Sequence, residues 1–350
     1  MRAMTALSLR KSVILAAVLL PVLVGAARAA GGPPPPKAAG GRVVSLVAAG
    51  IATPTSFAFD PAKKTVFVGA FGDEKTGKGG GVIAITGKSK GKAKPISGTP
   101  TGVAGLVEHA GTLYVSTVRG NGGKIVALSG WNGTRFASSK TIFDAHKTVG
   151  TVNGLAWGPD GRLYGGGGLV MDVNKKGAVK KSPFPNPYVV FSIKPDGSDF
   201  KVISRGLRQP WQLTFVGKSP NPYVSVLSQE SGKIPDDAIV VAKPGADYGF
   251  PKCFAGVGVA CANARFDKPL IELPKHASPM GIQAIGQTLY VALFGGIAKS
   301  GPDVVTIPAK AGSKPKPLIT RFAAPVVAVG ISNGMLFTGD LTGSVYKVRL

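Results

Sequence analysis

One short unit recurs six times along the chain, and that recurrence limits the fold more than any other feature. The unit is an apolar strand, a turn rich in Gly, Asp or Asn, and a second strand ending in aromatic and aliphatic residues. Its copies begin at Pro54 (PTSFAFDPAKKTVFVGAF), Val103 (VAGLVEHAGTLYVSTV), Val152 (VNGLAWGPDGRLYGGG), Pro210 (PWQLTFVGKSPNPYVSVL), Pro279 (PMGIQAIGQTLYVALF) and Pro325 (PVVAVGISNGMLFTGD), with starts 46 to 69 residues apart. A further strand follows several copies, at 80–86, 123–129, 189–195, 303–309 and 343–349. Apolar and polar residues alternate within each strand, and turn formers bound it, so each copy reads as a hairpin. A unit of this length with about four strands cannot cover both of its faces alone and must stack on its neighbours, which is the mark of a β-propeller. The sequence therefore predicts an all-β, six-bladed propeller of four-stranded blades. The segment 42–50 precedes the first copy and is expected to pair with the last blade, closing the ring through the two chain ends. A β-sandwich, or two small β domains, would give no such spacing. The 50 Gly and 28 Pro argue against long helices and punctuate the repeat.

The first 29 residues stand outside this pattern. Arg2, Arg10 and Lys11 precede an apolar run, interrupted by Pro21, that ends at Ala27-Arg28-Ala29. This reads as a secretory signal peptide cleaved after Ala29, and the run is too short for an uncleaved anchor. Residues 30–41 then read as a Pro/Gly-rich leader without a packing role, and 42–350 as a single propeller domain. Export to a periplasmic or extracellular compartment favours a disulfide between Cys253 and Cys261, since the chain has no other Cys and only His109, His146 and His276 to complete a metal site. Net charge is +25, from 42 Lys and Arg against 17 Asp and Glu. Cleavage would leave 38 bases, many of them in turns such as 88–94, Lys175, Lys180 and Lys310. Those tracts contain neither stacking aromatics nor a groove helix, which speaks against a specific nucleic-acid function and for weak attraction to an anionic envelope surface.

Three motifs in order carry the chemistry: Gly206-Leu207-Arg208-Gln209-Pro210, the stretch 228–237 (SQESGKIPDD), and Asp247-Tyr248-Gly249-Phe250-Pro251. Together with the hairpin at 153–164, they resemble the glucose/sorbosone dehydrogenase family, soluble six-bladed quinoproteins that oxidise sugars with pyrroloquinoline quinone and calcium. The resemblance implies that Arg208 faces the quinone, where a guanidinium can hold one of its carboxylates bidentately. It places Gln209 and Lys299 beside the same cofactor, and Ser231, Gly232, Asp237 and Tyr248 at the calcium, a hard cation that prefers oxygen ligands. Gln209 replaces the family's Asn.

The chain also departs from the family pattern. The histidine that serves as general base falls at Gly150, and Gly carries no titratable group. His146, four residues upstream, and His276, in the loop before the fifth copy, are the candidate replacements; either is also readable as a solvated loop residue. The family's second-calcium acid is Ala238, and its late arginine pair has only Lys299 as counterpart. Three functions follow: an exported dehydrogenase of an aldose or related sugar, a ligand-binding or scaffold propeller without catalysis, and a gluconolactonase-like, metal-dependent hydrolase built on Asn153, Glu230 and Asp340.

Overall fold

The computed structural model describes residues 34–86, 93–118, 122–167, 182–228, 236–254, 265–299 and 301–350. Six antiparallel sheets stand in a ring. Blade one has strands Pro54–Asp60, Thr65–Ala70 and Gly81–Ile85, and among the described residues its outermost pairing is a bridge from Ile83 to Pro95. Blade two runs from Val103–His109 through Thr112–Thr117 and Lys124–Ser129 to Ser138–Asp144. Blade three comprises Val152–Trp157, Leu163–Gly167, Val189–Ile193 and Lys201–Arg205. Blade four comprises Gln209–Thr214, Tyr223–Leu227, Asp237–Val241 and Ile271–Leu273. Blade five comprises Pro279–Ile285, Thr288–Ala298, Gly301–Pro308 and Lys316–Thr320. Blade six has Val326–Ser332, Met335–Asp340 and Val345–Arg349, and takes its outer strand from Val44–Ala48 near the other end of the chain, with Val44 opposite Val348. This is the closure read from segment 42–50.

The leader differs from its reading. Lys37–Ala38 adds a short fifth strand to blade five, opposite Ile319 and Thr320, and Pro36 is buried. The segment binds because Lys316–Thr320 would otherwise present an unpaired sheet edge.

The first strand of each blade lines the axis, and there a common irregularity appears. In all six blades the pairing of inner and second strands shifts register near the start of the inner strand, just after Pro54, Val103, Val152, Pro210, Pro279 and Val326; each is its strand's first residue except Pro210, which is the second. Such a bulge turns main-chain groups out of their own ladder. At four boundaries, the carbonyls of the first two inner-strand residues accept from the preceding blade. Thr55 Oγ1 donates to Val103 O at 2.7 Å, Asn153 Nδ2 to Pro210 O at 2.7 Å and Ser225 Oγ to Met280 O at 2.6 Å, while Ser116 Oγ donates to Asn153 O. The approach is close enough to select the third inner-strand residue. A Cβ on Gly105, Gly154 or Gly281 would stand 2.6 Å from main-chain atoms of the next blade's inner strand, Leu155 N, Trp211 O and Val329 N respectively. Blade four carries Gln212 there instead. Its side chain lies over Gly154 and reaches past blade three to donate to Ala104 O of blade two at 2.7 Å.

Apolar side chains fill the six blade boundaries as six clusters. Leu106 and Val115 of blade two meet Phe67 and Val82 of blade one, and Leu213 and Val224 of blade four meet Tyr164 and Val190 of blade three. The cluster between blades five and six extends to the axis through Trp211 and Met280. Each large aliphatic or aromatic group so buried contributes roughly 1.5–3 kcal/mol.

Removing one staple tests this account. Thr55→Val keeps the shape but leaves the Val103 carbonyl unpaired in a buried place, and is expected to lower stability by about 1–3 kcal/mol. An unchanged urea midpoint would show that the staple is dispensable.

Candidate functional site

Loops that enter the inner strands, and loops that join each second strand to the third, lie at the same end of the ring. Arg208, His146 and His276 all belong to entering loops, at blades four, three and five.

Two of the motifs singled out in the sequence meet here. Residues Ala246–Asp247 pair in parallel with Ser204 and Arg205 as a fifth strand of blade three. Tyr248 N then donates to Arg205 O and Phe250 N to Gly206 O, both at 3.0 Å. Gly206 has φ +73, and a Cβ on it would overlap Gly249 N and the Asp247 carboxylate, so this crossing requires glycine. The turn that carries Arg208 is thereby fixed by the segment 247–251.

Arg208 is buried, at 7% exposure, and its guanidinium donates to the Ser228 carbonyl. Ser228 in turn is tied to the other end of the 228–237 stretch: its N–H donates to Asp237 Oδ1 at 2.8 Å and its hydroxyl to Asp236 O at 2.6 Å. The second oxygen of Asp237 accepts from Ser278 N at 2.7 Å, across the boundary into blade five. His276, two residues before Ser278, completes the group. Burial raises the Asp237 pKa above the usual carboxylate range, while the Ser228 and Ser278 amides and the charges of His276 and Arg208 act in the opposite sense. The entering loop of blade five is held in an uncommon backbone shape, with φ +63 at His276 and +49 at Ser278. Gly295 makes room for it, since a Cβ there would overlap the His276 carbonyl. Left-handed conformations at two non-glycine residues are sustained only by surrounding structure, and such strain concentrates at sites.

Other expected residues fall elsewhere in this end of the molecule. His146 is exposed on a 3₁₀ turn, Ala145–Lys147, capped by Asp144, whose Oδ1 accepts from His146 N at 3.1 Å. Its ring stands edge-on to Phe184 with centroids 6.4 Å apart. Phe184 also crowds Gly150, the position where the resemblance leads one to expect a histidine: that residue has φ +83, and the phenyl ring occupies the space a Cβ would take. The position cannot carry a base without moving Phe184. The Pro residues at 183, 185 and 187 were the available sign of a rigid segment there. Gln209 is buried, and its Oε1 has no partner. Lys299 is exposed near the tip of the hairpin between strands Thr288–Ala298 and Gly301–Pro308.

Asp237 and Tyr248 do not stand as open metal ligands. Both Asp237 oxygens accept from main-chain amides, and the Tyr248 hydroxyl donates to Val241 O at 2.6 Å in a buried setting that raises its pKa. Ser231, Gly232, Glu230 and Cys261 lie outside the described residues, as do residues 1–33; Cys253 is buried. Among the described residues, no three His, Cys, Asp or Glu side chains are grouped to hold a metal ion. Asn153 and Asp340 are fully buried, each with one oxygen bonded only to carbon and no partner, and each is otherwise committed to the fold: Asn153 to Pro210, Asp340 to Thr342 and Ser344.

No protein-family model matches the chain, and no curated protein matches it in sequence. Its structural neighbours are soluble quinoprotein aldose and glucose dehydrogenases with six-bladed propellers. The PQQ-bound aldose sugar dehydrogenase of Streptomyces coelicolor superposes with a TM-score of 0.66 at 20% identity, over 90% of this chain and 99% of that one. A calcium structure of Trichoderma reesei Carbohydrate-Active Enzymes Family AA12 gives 0.69 at 18%, covering 90% and 96%. The apo-form soluble aldose sugar dehydrogenase of Escherichia coli gives 0.68 at 16%, covering 88% and 99%. At these identities the likeness carries the fold.

Asp303 offers a test of the electrostatics at this end of the ring. Its Oδ2 accepts from Ile297 N at 3.3 Å and Ala298 N at 3.0 Å, its Oδ1 is buried without a partner, and burial raises its pKa. A raised folded-state pKa gives stability below the ordinary Asp value that is lost as pH climbs through the folded value. D303N keeps an acceptor for both amides and has no charge to bury. Its urea midpoint relative to wild type should therefore rise as pH goes from about 4 to neutral; a difference independent of pH would overturn the assignment.

Proposed function

We propose that this propeller is an exported sugar dehydrogenase that oxidises an aldose or a related sugar with pyrroloquinoline quinone. The observation that carries the reading is the convergence of Arg208 and His276 on buried Asp237 at the end of the axis where the inner strands begin. Two cations suit a tricarboxylate, Arg208 held in place and Lys299 exposed on the rim, while the unpaired Gln209 oxygen could only accept from a donor of the ligand and not from its carboxylates. When bound, the quinone supplies a two-electron acceptor for the hydride leaving the anomeric carbon. Asp237 ties Ser228 and Ser278 together and so sets the distance between the Arg208 and His276 loops. In this reading a ring nitrogen of His276 takes the proton of the anomeric hydroxyl, with His146 the second candidate. Calcium is assigned no step, because Asp237 and Tyr248 are committed to structural hydrogen bonds.

Export after cleavage near Ala29, a Cys253–Cys261 disulfide, and weak salt-sensitive association of the lysine-rich turns with anionic envelope surfaces complete the proposal. A second reading, a propeller that binds its sugar without oxidising it, is favoured by one feature, the Phe184 ring packed on Gly150.

Reconstitution decides between them. The mature chain is incubated with the quinone, with and without calcium, and offered aldoses and a dye acceptor. Dye reduction is expected, falling about 100-fold or more in His276→Ala, and Arg208→Ala should weaken quinone binding measured by titration. Sugar binding without dye reduction supports the second reading, and absence of both quinone and sugar binding would falsify each.

A further inference from the structure

The inner strands end on the opposite face of the ring from Arg208 and His276, and there they enclose a cavity of about 280 Å³ to which all six blades contribute. We propose that this cavity is a second ligand site, independent of the first, that takes a small organic cation with an aromatic body.

Aromatic side chains stand among its lining residues. Phe59 in the inner strand of blade one, Trp157 at the end of that of blade three and Phe215 just past that of blade four are each half-buried at the mouth. Trp157 is braced from outside: the exposed His109 ring stacks on it with centroids 3.7 Å apart and planes within 10°. An indole so held loses little freedom when a ligand lies against the cavity side, which favours binding. Trp and Phe faces attract cations through the ring quadrupole.

Charge selects the sign of the ligand. The chain has 42 basic residues and 17 acidic ones, yet the charged residue in the cavity wall is Glu108, at the sixth position of blade two. Its Oε1 accepts from Gly111 N at 2.8 Å, and its other oxygen accepts from none of the described residues. Thr214 and Gln283 add a hydroxyl and an amide able to orient the ligand's polar end. The surface that the cavity exposes is more polar than apolar, so a ligand there needs a polar or charged part beside its aromatic body. An anion would meet Glu108 with no Lys, Arg or His among the lining residues to offset it, and a neutral aromatic would gain nothing from the carboxylate's charge.

The probe is benzyltrimethylammonium, titrated into the full chain by calorimetry and by tryptophan fluorescence, with benzyl alcohol and phenylacetate as neutral and anionic counterparts. Trp131 and Trp211 are 5% and 1% exposed, so a fluorescence response reports on Trp157. The cation is expected to bind at least about tenfold more tightly than the alcohol, and phenylacetate more weakly than either. Glu108→Gln retains an acceptor for Gly111 and should erase the preference of cation over alcohol. Trp157→Phe should keep the calorimetric signal while losing the fluorescence change. Equal binding of cation and alcohol, an unchanged preference in Glu108→Gln, or no saturable binding would each overturn the site. Quinone and sugar binding at the other face are not involved in any of these readouts.

Discussion

The ring depends on how its inner strands solve a crowding problem. Six strands converging on an axis must approach more closely there than at the rim, and side chains on the facing positions would hold the blades apart. The common bulge near the start of the inner strand turns carbonyls toward the preceding blade, where Thr55, Ser116, Asn153 and Ser225 receive them. Buried main-chain groups without partners are costly, so each bulge also demands a donor from next door. Small residues at the third position follow from the same approach. Gln212 is the exception that fits, since its amide bridges two blades and uses the absence of a side chain on Gly154.

The grouping of Arg208, Asp237 and His276 at the first mouth is a by-product of this geometry. Entering loops leave the outer strand of one blade and must reach the bulged start of the next inner strand in a few residues. Arg208 and His276 are therefore placed by the scaffold and kept in register by one buried carboxylate between them. Asp237 spends both oxygens on main-chain amides, which makes it a better anchor for two loops than a ligand for a cation.

Much of the fold was legible in the sequence because it repeats. Six copies of a hairpin with Gly or Asp turns allow few architectures, and the strand-like segment 42–50 had no partner except the last blade. The order of the three motifs also pointed to one end of one blade, and the Gly206 turn does meet the segment 247–251. What stayed hidden depends on contacts between distant residues. Nothing in GGPPPPKAAGG marks Lys37 and Ala38 as a strand, because the pairing exists only where blade five leaves an edge open. Asp237 looks like a ligand in a motif, and only the amides of Ser228 and Ser278 reveal it as a clamp. Gly150 reads as a lost histidine, and only the structure shows a phenyl ring from another loop where a Cβ would stand.

The clasp between the chain's two ends has a consequence in time. Val44 meets Val348 across about 300 residues, and Lys37 meets Thr320 only a little closer in sequence. Closing so long a loop adds little to the equilibrium cost, since that cost grows only logarithmically with length. Its kinetic effect is larger, because distant pairings form late. Blades one to four can assemble from neighbouring segments as they become available, whereas the strands at the start of the chain stay unpaired until blades five and six exist to receive them. The seam through which the ring is last closed is therefore also the place where it would first come apart.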